Sequence, residues 1–123
     1  MKRIFLAVIP DPNLSHDDPA YKDNIIDFSS LVRQVVRTPL DKNAGADIVE
    51  IRRGVRVLDA LDKEEGSILE LEDADWEYLK RKVEKMTWVV VDRRFAQFYD
   101  DIMEATDEPR YPADRFQIEV KMP

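Results

Sequence analysis

Residues 67–86 read Ser-Ile-Leu-Glu-Leu-Glu-Asp-Ala-Asp-Trp-Glu-Tyr-Leu-Lys-Arg-Lys-Val-Glu-Lys-Met, and two structural periods meet in them. Ser67 to Leu71 is short and partly alternating, which suits a strand. Beyond it Trp76, Leu79, Val83 and Met86 recur at 3-4-3 spacing, the signature of one apolar face on a helix. Glu72, Asp73, Asp75 and Glu77 crowd the first turn of that helix, and Lys80, Arg81, Lys82 and Lys85 its later half. That order complements the helix dipole. A short strand leading into an amphipathic helix points to a mixed class, and the flanking segments decide how it is completed.

Towards the C-terminus, Thr87–Val91 favours extended structure by propensity but equally suits a hinge. Asp92 is placed to cap a further helix, with Phe95, Phe98, Ile102 and Ala105 on one face and Tyr99 and Met103 beside it. Residues 106–115, with Pro109 and Pro112, form a loop. Phe116, Ile118 and Val120 then alternate with polar residues, as in an edge strand. Towards the N-terminus, Ile48, Ile51, Val55 and Leu58 repeat at 3-4-3 as the apolar face of another helix, with Asp47 as cap and Gly66 as stop. Gly54 within it costs about 1 kcal/mol relative to Ala. Residues 38–46 make a turn, and Ile25, Phe28, Leu31, Val32, Val35 and Val36 describe a first helix stopped at Pro39. Residues 10–23 carry three of the seven prolines with Asn13 and Ser15 and read as an extended loop. Residues 3–9 are apolar on both faces, which suits a buried strand ended by Pro10 and Pro12. The expectation is an α+β fold in which four amphipathic helices pack on a small sheet of two to four short strands, all in a single domain spanning residues 1–123.

Composition narrows the chemistry. The 123 residues are 44% apolar, enough for one core. There is no Cys and a single His, so disulfides, thiolate zinc sites, cysteine nucleophiles and multi-histidine metal centres are excluded. The three glycines are scattered and build no phosphate-cradling loop. Met1-Lys2-Arg3 followed by Ile4–Ile9 imitates the start of a signal peptide, but six apolar residues ended by Pro10-Asp11-Pro12 are too few. A membrane span is not expected, and a cytoplasmic protein is. The net charge of -7 disfavours nucleic acid as a partner. Residues 1–45 hold 6 basic and 6 acidic side chains and residues 46–123 hold 13 and 20, so the whole excess lies in the later part.

Candidate sites are sparse. His16-Asp17-Asp18 with Asp11 offers ligand types for a hard cation, but the spacing matches no metal loop and a solvated loop is the better reading. The acidic run from Glu72 to Glu77 is explained by its helix terminus. Asp100, Asp101, Glu104, Asp107 and Glu108 form an acidic patch that could receive a basic partner. Arg52, Arg53 and Arg56 form a basic cluster, with Asp59 near Arg56, and Arg93 with Arg94 forms another; Arg clusters grip carboxylates. Tyr78 and Tyr99 fall off the apolar faces and are candidate surface anchors. Neither a catalytic residue nor a cofactor or metal site is expected. Arg52, Arg53, Tyr78, Tyr99, Asp100, Asp101 and Glu104 are the interaction candidates.

The run Arg52–Leu61, then Ile68–Asp75, Trp76–Met86, Trp88 and Phe95-Ala96-Gln97-Phe98 resembles small accessory proteins encoded among the structural genes of tailed bacteriophages and prophages. The resemblance covers roughly residues 27–105 and extends in size and element order to head and tail morphogenesis factors, including tail assembly chaperones. It carries no catalytic motif. It implies a non-enzymatic protein that binds other phage or host proteins inside the host cell, with virion association and a homo-oligomer both open. An alternative from another class is an acidic inhibitor that presents carboxylates to a host nucleic-acid-binding or defence protein where DNA would lie.

Overall fold

A computed structural model describes residues 1–88 and 90–109. In chain order the elements are β1 (Lys2–Phe5), β2 (Val8–Ile9), a 3-10 turn (Lys22–Asn24), β3 (Ile26–Asp27), α1 (Phe28–Arg37), α2 (Ile48–Asp62), β4 (Ile68–Leu71), α3 (Asp73–Lys85) and α4 (Arg93–Met103). The fold is α+β, with four helices and two small antiparallel sheets among the described residues. The strand expected over Phe116–Val120 lies outside the described residues, as does most of the 106–115 loop.

The strand expected over residues 3–9 is two strands. β1 pairs antiparallel with β4 in the register Ile4 opposite Leu69, and β2 pairs antiparallel with β3 in the register Ile9 opposite Ile26. Between them Leu6 and Ala7 are both buried, which a regular strand with one inward face cannot do for consecutive residues. The chain therefore turns over at this point and changes partner, while the Leu6 N–H still donates to Ser67 and the Ala7 carbonyl accepts from Phe28. On the outer face of the first sheet Arg3 stands opposite Glu70 and pairs with it at 2.8 Å.

Helix starts follow the side-chain caps. Asp27, Asp47 and Asp92 each accept a backbone N–H in the first turn of α1, α2 and α4. α1 begins at Phe28, so Ile25 precedes it. α2 ends at Asp62, short of Gly66, which instead takes a left-handed conformation with Ser67 in the turn before β4. Residues 87, 88, 90 and 91 form no strand and act as the connection from α3 to α4.

The core is centred on Phe28 and Phe98, which meet edge to face at 5.3 Å, with Leu61, Leu69, Leu71, Leu79 and Ile102 fully buried around them. Trp88 stacks on Phe95 at 4.7 Å and closes one side. The Trp76 indole N–H donates to the Ile102 carbonyl at 2.8 Å, tying α3 to the end of α4. Arg94 is almost completely buried and fastens the other end: its Nε and Nη2 bind both Asp92 oxygens, and its Nη1 donates to the carbonyls of Ile9 and Asn24. One guanidinium thus anchors both ends of the 10–24 loop to the start of α4, and the expected Arg93–Arg94 surface cluster is reduced to Arg93.

Candidate docking surface on the second helix

The orientation of α2 differs from expectation. Ile48, Ile51 and Val55 of the 3-4-3 stripe are 59, 48 and 47% exposed, and Val49, about 100° farther round the helix from Ile48, is 61% exposed. The buried residues are Gly54, Val57 and Leu61, a second stripe turned by about 100° around the helix. Leu58 lies between the two and is half buried.

Gly54 is the reason. A Cβ built there would stand 3.1 Å from the Tyr78 hydroxyl and 3.1 Å from a Val36 methyl, so α1, α2 and α3 approach one another across the missing side chain. The inward face of α3 is correspondingly Asp75, Tyr78, Leu79, Lys82 and Val83. This corrects the placement of Tyr78: it is 3% exposed and is no surface anchor. Its hydroxyl is buried without a hydrogen-bond partner among the described residues. Burial first and the charge of Glu50 second push its pKa up to about 12.

Two ion pairs flank this junction. Lys82, buried on α3, binds Glu50 of α2 at 2.6 Å and also donates to the Thr38 carbonyl at the end of α1. The same Glu50 oxygen accepts the Leu40 N–H at 3.0 Å, so one pair joins three helices and the 38–40 turn. Arg56 reaches both oxygens of the buried Asp75 at 3.0 and 3.1 Å rather than pairing with Asp59. Hydrogen bonding to Asp75 and then its charge hold the Arg56 guanidinium above its ordinary pKa. Asp75 thus lies in the first turn of α3, as expected for a partner of the helix dipole, and is in addition buried in this pair. Asp92 is held below its ordinary pKa, chiefly by the hydrogen bond from Arg94.

The exposed stripe borders a groove of about 260 Å³ walled by Val36, Arg37 and Pro39 on one side and Ile51, Val55 and Leu58 on the other, with Glu50 and Lys82 also lining it. It is a shallow, largely apolar trough with a cation at its rim.

Of the remaining candidates Arg52 borders it and the others do not. Arg52 and Arg53 are exposed on α2, Arg52 next to Ile51 and Arg53 farther round the helix. Tyr99 is 42% exposed on α4. Asp100 and Glu104 are exposed there and Asp101 is half buried beside Arg3 and Phe5. His16 stacks on Tyr21 at 4.6 Å, and no group of metal-ligating side chains converges among the described residues. No helix among them is long and apolar enough to cross a membrane.

The α2 surface was missed because an apolar repeat reports a helix and not the side that faces the core. The available signal was Gly54 itself, an unfavourable helix residue in step with Val57 and Leu61.

No protein-family model, curated protein or solved structure matches this chain.

Proposed function

We propose that this chain is a non-enzymatic accessory protein that binds other proteins, in the manner of the phage head and tail assembly factors it resembles, and works inside the host cell. The observation that carries the reading is the Ile48–Ile51–Val55 stripe of α2, a row of large apolar side chains left in water beside the face of the helix that packs through Gly54, Val57 and Leu61. The buried charged side chains Asp75, Lys82 and Arg94 are each held in an ion pair, with Arg56, Glu50 and Asp92 in turn, a structural use that accounts for their burial. The test is co-expression with the products of neighbouring structural genes, followed by affinity capture with the native chain and with Ile51→Asp. The expected result is a partner retained by the first and lost by the second. Retention of no partner by the native chain refutes the reading, and so does equal retention by both.

A further inference from the structure

Resting on that reading, we infer that the α2 stripe receives an amphipathic helix with acidic side chains flanking its apolar face. Two observations select this occupant. The first is charge. The chain is acidic overall, yet the carboxylates around the stripe are engaged: Asp41 holds the N–H groups of Asn43 and Ala44, Asp47 caps α2, Glu50 lies in the buried pair with Lys82, and Asp62 binds Arg33. Arg37 on the groove wall and Arg52 beside Ile51 have no ion-pair partner among the described residues. Arg37 and Arg52 thus flank the apolar strip on its two sides, and Asp59 stands at the level of Leu58, one turn after Val55. Acidic residues beside a partner's apolar ridge would meet the two arginines.

The second observation is size. The three half-exposed aliphatic side chains of the stripe offer on the order of 300 Å², well under the roughly 800 Å² per partner of a stable interface between globular proteins. A strip of this width suits the i, i+3, i+4, i+7 ridge of one helix laid along the groove. A second copy of this chain fits poorly for a further reason. Antiparallel pairing of the stripe with itself sets the symmetry axis near Ile51 and Arg52, which brings the two Arg52 side chains together.

The experiment is fluorescence anisotropy with two synthetic helical peptides of about five turns. Both carry the same leucine ridge, one flanked by Glu and the other by Lys. The acidic peptide is expected to bind at least about tenfold more tightly than the basic one, and to weaken on raising salt above about 0.15 M. Arg37→Glu with Arg52→Glu should reverse the preference. Ile51→Glu should abolish binding while its circular dichroism matches the native chain. Equal binding of the two peptides, or preference for the basic one, overturns the acidic partner and leaves α2 a docking surface. If neither binds and the sedimenting mass is twice 14.4 kDa and halves in Ile51→Glu, the occupant is a second copy and the inference falls. If neither binds a monomer the inference falls as well. The broader protein-binding reading is judged separately by affinity capture.

Discussion

Replacing Tyr78 by Phe should stabilise this protein, although Tyr78 is among its most buried side chains. The hydroxyl lies against Gly54 with no hydrogen-bond partner among the described residues. Taking a hydroxyl out of water without a partner costs about 1–3 kcal/mol. Removing the oxygen forfeits a few atom contacts at about 0.1–0.2 kcal/mol each, roughly half a kcal/mol in all. The net expectation is a gain of about 1 kcal/mol. Urea unfolding followed by the fluorescence of Trp76 and Trp88 reads this directly. With a slope of about 1.5 kcal/mol per M the midpoint should rise by about 0.7 M. The pH dependence has a definite sign. An unfolded Tyr ionises around its ordinary 10.0, whereas Tyr78 in the fold is pushed up to about 12. Its contribution is intact below pH 10 and is lost as the pH rises towards 12, so the advantage of Tyr78→Phe should widen across that window. A fall in the midpoint of Tyr78→Phe at neutral pH refutes the reasoning, because it means that the hydroxyl is hydrogen bonded in solution.

Lys82→Met should destabilise the fold by about 3–5 kcal/mol, since Glu50 is left buried without its cation; with Glu50→Leu added, the double variant should lose less than the sum of the single losses, measured as a double-mutant cycle in urea. Arg94→Gln should speed tryptic cleavage at Lys22, because the carbonyls of Ile9 and Asn24 lose their common donor. Asp92 lies below the ordinary value of 3.8, so its pair with Arg94 contributes stability above that pH which disappears as the pH falls through the lower folded value; Asp92→Asn should flatten this part of the acid unfolding curve. Ile51→Ala should change stability by less than about 0.5 kcal/mol, the surface range, whereas Leu61→Ala on the packed face of α2 should cost about 2–5 kcal/mol.

Most of the element order was legible from spacing and caps. Asp47 and Asp92 mark their helix starts because a carboxylate before an apolar repeat has a specific use, the satisfaction of unpaired N–H groups. Faces were less legible. On α3 the inward positions 75, 78, 79, 82 and 83 keep a regular helical spacing, but Asp75, Tyr78 and Lys82 are polar and an apolar count passes over them. Their burial depends on Arg56 and Glu50 from another helix, and such partners are set by tertiary packing. The break at Leu6–Ala7 was hidden for a related reason: a stretch apolar on both sides reads the same whether it runs straight or changes sheets.

The pairing of Arg3 with Glu70 spans 67 residues of sequence, and that interval has a meaning in time. A ribosome adding roughly 5–20 residues per second needs about 3–13 s to make the strand that β1 awaits. Arg94, which anchors the loop after β2, emerges later still. During that interval β1 lacks its partner strand, whereas β2 waits only for Ile26 and Asp27, so the two halves of the Ile4–Ile9 run are sheltered at different times.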